Sequence, residues 1–250
     1  MQLKLNIRPA AAHRTSGAAE NTSATPIGFD WNGSFAVTDR PEAGVLVDCT
    51  PLLGKGLLVL AHARQDIEEL SDAQGLQVVR FATESARRAA ERFGCEGALG
   101  QRPSPVDRTE WQTRPAAQAK GTCRGIVTSR DAAQLGLTTV SETPAGRALT
   151  EECSLNLSAK GHHVRLTAYY GSSAQQEMYL DGRYPGSVRG AVMQQLPCEG
   201  ALGTAYFKAR ELPRPDAEKG VRGSVGSEGV RRLLSSFATA SAARHGCPVV

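Results

Sequence analysis

Apolar positions recur along this chain with two periods, and the two periods follow one another twice. Gly56–Arg64 (GLLVLAHAR) reads as a nine-residue strand. Beyond it Leu76, Val79, Thr83, Ala86, Ala90 and Phe93 step by three and four. That spacing predicts a helix over residues 73–93 with one mostly apolar stripe. Glu84 and Arg88 supply an i, i+4 ion pair on its other side. Residues 202–210 and Ser227–His245 repeat the succession, with Val230, Leu233, Leu234, Phe237 and Ser241 on the second stripe. Gly94 and Gly246 stand where a left-handed helix cap wants glycine.

The two copies also agree residue by residue. Phe81-Ala82-Thr83-Glu84-Ser85-Ala86 leads to Phe93-Gly94-Cys95, and Phe237-Ala238-Thr239-Ala240-Ser241-Ala242 leads to His245-Gly246-Cys247. Upstream, LLVLAHAR (57–64) parallels GTAYFKAR (203–210), and Cys49 corresponds to Cys198. Order, spacing and residue type together indicate a duplication.

Six cysteines occur, at Cys49, Cys95, Cys123, Cys153, Cys198 and Cys247. None lies in a C-x-x-C pair, so neither a zinc site nor a thioredoxin-like motif is expected; an even number of widely spaced cysteines suits structural disulfides. A nine-residue strand spans roughly 30 Å, and the helix over 73–93 roughly 31 Å. A helix returning along its strand brings Cys95 beside the strand's origin, near Cys49. The same geometry pairs Cys198 with Cys247, and elimination leaves Cys123 with Cys153. The expected fold is α+β: two tandem related modules, each a small antiparallel sheet covered by a C-terminal amphipathic helix and stapled by disulfides. Residues 1–100 form the first module, 101–121 a Pro-rich linker carrying Trp111, and 122–250 the second.

The second module begins well before Cys198. Its opening runs from Cys123 through a helical segment at 131–135, Cys153, a strand at 163–170 and a turn at 181–186. The first module has no counterpart of the Cys123–Cys153 loop, and residues 2–7 (QLKLNI) sit about as far before Cys49 as residues 153–158 sit before Cys198. Met1 therefore falls inside a module, and the expectation is a missing upstream part that carries a signal peptide or anchor. The N-terminus lacks the uninterrupted apolar region of a signal peptide. No apolar run is long enough to span a membrane. Residues 9–26 read as a loop, with a glycosylation sequon at Asn21-Thr22-Ser23.

Composition is that of an ordinary globular protein, 40% hydrophobic and 22% charged. Twenty-nine basic and 25 acidic residues are mixed along the chain for a net charge of +4, without the basic concentration of a nucleic-acid binder. Arg87-Arg88 and Arg231-Arg232 fall on predicted helix faces and read as solvated.

Cys123, Ile126-Val127, Leu135-Gly136, Cys153 and the alternating strand at 164–170 carry a resemblance. This succession resembles a class of uncharacterised actinobacterial lipoprotein and membrane-anchored domains. An aromatic often follows the second cysteine in those domains, where this chain has Ser154-Leu155. The resemblance implies export and an α+β fold, and brings no catalytic residue with it.

Candidate chemistry is sparse. His162 and His163 point to opposite faces of a strand and cannot chelate one metal together. His245 sits where positive charge suits a helix C-terminus, and His62 is matched by Lys208 in the other copy. Residues 220–229 (GVRGSVGSEG) lack the Walker lysine, and Ser227 reads as a helix N-cap. Glu151-Glu152 reads as a solvated charge pair. Tyr169, Tyr170, Tyr179 and Tyr184 are the candidate ligand-binding residues, as a surface for sugar or peptide. No catalytic residue, metal or cofactor is expected. The predicted role is an extracytoplasmic binding or cell-envelope scaffold protein whose partner is an envelope protein or a glycan. The alternative is an enzyme with its site between the modules.

Overall fold

The computed structural model describes residues 2–10, 24–36, 41–52, 55–64, 70–107, 111–157, 162–188, 190–213 and 225–248. Its first sheet contains β1 (Gln2–Pro9), β2 (Thr25–Pro26), β3 (Asn32–Ala36), β4 (Glu42–Asp48) and β5 (Gly56–Arg64), ordered β1-β5-β4-β3-β2 and antiparallel throughout. Helix α1 (Asp72–Phe93) follows. Ser71 starts it with a capping box shared with Gln74, which satisfies two otherwise orphaned amides. Gly94 ends it at φ 66°. Val78, Val79, Ala82, Ala86 and Ala90 pack on Val45, Val47, Val59 and Ala61. Phe93, predicted on this stripe, is instead exposed in the helix's last turn.

The second sheet contains β6 (Gln112–Pro115), β7 (Leu137–Glu142), β8 (Thr150–Leu157), β9 (His162–Tyr169), β10 (Val192–Pro197) and β11 (Thr204–Pro213). Its order is β10-β11-β9-β8-β7-β6, again antiparallel. Three helices belong with it: α2 (Ser129–Leu135), α3 (Ser172–Arg183) and α4 (Ser227–His245). Helix α4 lays Val230, Leu233, Leu234, Phe237 and Ala238 on Ala205, Phe207 and Ala209 of β11. Phe207 meets Tyr170 and Phe237 edge-on, the arrangement that aromatic quadrupoles favour. The residue capping α4 is Gly226, which offers no side-chain bond, rather than Ser227. Residues 181–183, read as the start of a turn, close α3 instead. The sequence of that helix, SSAQQEMYLDGR, has no continuous apolar stripe to announce it. Within 101–121, Gln112–Pro115 is the sheet's edge strand, and Trp111 before it is half-buried. The sequon at Asn21 and residues 220–224 of the glycine-rich 220–229 segment lie outside the described residues.

The fold is α+β, two tandem modules each closed by a C-terminal helix. In both, a central strand lies between the strand preceding its cysteine and one further antiparallel strand: β1-β5-β4 in the first module, β9-β11-β10 in the second. In this plan β9 flanks β11 as β1 flanks β5, so β1 stands opposite β9 rather than residues 153–157 of β8. Disulfides join Cys49 to Cys95, Cys123 to Cys153 and Cys198 to Cys247, with Cα separations of 4.4, 5.1 and 4.7 Å. In each module one bridge ties the central strand's origin to the returning helix's end.

The modules meet through the face of the first sheet opposite α1. Leu46, Leu58 and Leu60 join one apolar core with Leu149, Ala201 and Leu202. Approach is close enough that a Cβ at Gly56 would overlap Ala201. Ser34 Oγ accepts from Leu149 N (2.7 Å), and Asp48 Oδ1 from Ala201 N (2.6 Å).

Candidate functional site

Alternation along β9 and β11 sorts their residues by face. Val164, Leu166 and Ala168, with Ala205, Phe207 and Ala209, enter the core under α4. Arg165, Thr167 and Tyr169 take the other face, directly opposite Arg210, Lys208 and Tyr206 in the antiparallel register. Helix α3 lies over part of this outer face. Lys208, buried there, donates to Asp181 Oδ1 (2.6 Å) and Glu177 Oε1 (2.8 Å) of α3. Tyr206 donates its hydroxyl to Asp181 Oδ2 (2.7 Å). Burial, then Glu177 and Glu152, push the Tyr169 phenol well above its ordinary value. Burial and the bond to Asp181 do the same to Tyr206. Both remain neutral donors at physiological pH.

Beside α3 this face opens into a cavity of about 110 Å³, lined among others by Arg165, Tyr169, Glu177, Lys208 and Arg210. Arg165 is exposed and pairs at 2.9 Å with the fully buried Glu152. Arg210, across the strand from it, is half-buried and has no carboxylate partner among the described residues. Hydroxyl and amide groups carry the face onward: Asn156 donates to Thr139 and Ser141, and Ser141 meets Thr113 at 2.9 Å.

A second polar cluster lies inside the core. Glu151 points under α4 while its neighbour Glu152 points outward, and both are fully buried, contrary to the solvated pair expected. Tyr170 donates to Ser241 Oγ (2.6 Å), which donates to Glu151 Oε2 (2.8 Å); Arg244 neutralises the same carboxylate. His245 stacks on the Tyr170 ring at 3.6 Å, with Nδ1 toward the Ser241 carbonyl and Nε2 toward that of Ala148. Burial lowers its pKa against the opposing pull of Glu151. His245, expected at a helix end where positive charge suits the dipole, is a buried ring held between Tyr170 and the two carbonyls. Serine, histidine and glutamate are all present, but Ser241 Oγ addresses Glu151 and not the imidazole, so this network has no serine–imidazole pair.

A larger cavity of about 280 Å³ lies beside the junction of the modules, where Thr25 of β2 donates to the Asp107 carbonyl. Asp107, Arg114, Lys120 and Glu142 line it. Glu142 is already engaged: it accepts from the amides of Lys120 (2.8 Å) and Cys123 (3.1 Å) and pairs with Arg114. Among the described residues no group of three metal-ligating side chains exists. No described helix is long and apolar enough to cross a membrane.

The four tyrosines singled out in the sequence do not form one surface. Tyr169 lies on the outer face and Tyr170 in the core behind it. Tyr179 and Tyr184 are exposed on and after α3, with Arg183 over both rings at 5.9 and 5.6 Å. Arg165, Lys208 and Arg210 were within reach of sequence reasoning, since alternation in HVRLTAYY and YFKAR places them together. Asp181 and Glu177 carried no such signal. Comparison with known protein families, curated proteins and solved structures finds no match to this chain.

Proposed function

We propose that this is a non-enzymatic, extracytoplasmic binding protein of the cell envelope whose ligand surface is the outer face of the second sheet. Three disulfides fit an oxidising, extracytoplasmic environment. Export is in keeping with the resemblance to actinobacterial lipoprotein and membrane-anchored domains. A duplication accounts for the shared plan of the two modules.

One comparison between the modules carries the reading. On the face opposite the returning helix, the first module has Leu58 and Leu60, and the second module is docked against them. At the corresponding positions β11 has Thr204 and Tyr206, while Lys208 and Arg210 stand where the first module has His62 and Arg64. The same side of one architecture carries leucines under the other module in one copy, and polar side chains only partly covered by α3 in the other. A hydrophilic ligand, a glycan or an envelope protein's polar segment, suits such a face. The enzyme alternative has the larger cavity beside the junction in its favour, but Glu142 there is committed to backbone amides.

The test is a titration of the full protein with envelope glycans and peptides, followed by amide shifts. Perturbations centred on Thr167, Tyr169 and Lys208 are expected. Perturbations confined to Asp107, Lys120 and Glu142 would move the site to the junction and revive the enzyme reading.

A further inference from the structure

Arg165 and Arg210 face each other across β9 and β11 on the same side of the sheet. Like charges directly opposite in an antiparallel pair repel and destabilise it. Glu152, on the neighbouring strand β8, offsets one of these charges at 2.9 Å. Lys208, one pair further along, is held by two carboxylates of its own, Glu177 and Asp181. Arg210 alone of the three cations has no acid partner among the described residues, and it is one of the residues lining the cavity.

We propose that this cavity is an oxyanion-recognition site, in which Arg210 and Arg165 together grip a single carboxylate or phosphate group carried by a larger hydrophilic ligand. The inference rests on the outer face being the ligand surface and adds the chemistry it selects. A guanidinium offers paired parallel donors that match the oxygens of either anion. The anchoring of Arg165 by Glu152 leaves the remaining donors of its planar fork for a ligand. Tyr169, on the same wall, carries a neutral phenol. About 110 Å³ holds the volume of roughly three or four waters, enough for one oxyanion and not for a whole sugar ring. The rest of the ligand would lie outward over the Ser/Thr/Asn rows of β6, β7 and β8.

The full protein, labelled at arginine Nε, is titrated with acetate, with inorganic phosphate and with neutral glucose at constant ionic strength. Saturable shifts at Arg165 and Arg210 are expected with at least one oxyanion, and Arg210→Gln should weaken that binding by about tenfold or more. Acetate alone acting names a carboxylate-bearing ligand; phosphate alone acting names a phosphate-bearing one. Because a ligand stabilises the state that binds it, the effective oxyanion should raise the melting temperature of the wild type and not of Arg210→Gln. Without oxyanion the variant, relieved of repulsion, should melt above the wild type. A lower melting temperature for the variant, or unsaturable shifts that survive the substitution, overturns the proposal. Shifts on the outer face with glucose but with neither anion would also overturn it, yet leave the ligand surface in place. An outer face silent to these probes and to envelope glycans and peptides alike would remove both.

Discussion

Glu151 is a carboxylate sealed in the core, tolerable only because every neighbour answers its charge or its lone pairs. Arg244 supplies the charge and Ser241 a hydroxyl, itself braced by Tyr170. Removing one partner of a buried pair strands the other. Glu151→Gln is therefore expected to cost about 3–5 kcal/mol, read from urea midpoints. The ring beside it sets an acid limit. The native state holds His245 with a lowered pKa, whereas the unfolded chain protonates it near 6.5. Its contribution is whole above pH 6.5 and is lost as pH falls through the folded-state value, because unfolding then takes up a proton. The urea midpoint should fall across that window, and more steeply than in His245→Gln. Tyrosines set the opposite limit. Tyr169, Tyr170 and Tyr206 have raised values, so their contribution is whole below pH 10.0 and is lost as pH climbs beyond it. Their phenolate absorbance should rise together with unfolding, not before it.

At the scale of elements, α3 differs from α1 and α4 in what holds it. The two long helices bury apolar stripes, while α3 turns Glu177 and Asp181 onto Lys208 and Tyr206. Its docking is polar and depends on one cation. In Lys208→Ala the two carboxylates would face each other without it. Amide exchange across Ser172–Arg183 should accelerate markedly while α4 keeps its protection. Equal acceleration in both helices would mean that α3 has no separate hold. The same helix walls the proposed ligand cavity, so its looseness should also reduce oxyanion affinity.

Across the molecule, one core runs from α4 through the second sheet to Leu46, Leu58 and Leu60 of the first. The modules are therefore expected to unfold as a single transition. Each bridge ties a long loop, 46 residues between Cys49 and Cys95 and 49 between Cys198 and Cys247. Replacing either pair with alanine should cost about 3–4 kcal/mol through the freed unfolded chain. Thiol titration of protein taken from its native source, under denaturing but non-reducing conditions, is expected to find none of the six cysteines free. Six thiols would withdraw the support that oxidation lends to an extracytoplasmic site.

Periodicity and spacing alone determined the strand–helix succession, its recurrence and the three cysteine pairings, because these follow from residue rise and chain length within a few turns. Folding in three dimensions decided which charges are inside. Adjacent glutamates, alike in the sequence, point to opposite sides of β8. Their partners are Arg165 on the next strand for Glu152 and Arg244, 93 residues away, for Glu151. Tyr169 and Tyr170 are parted by the same alternation, one to the ligand face and one to the core. Helix α3 carries salt bridges to Lys208 that no local period announces. Burial of an ionised group depends on where its counter-charge arrives, and only the assembled sheets settle that.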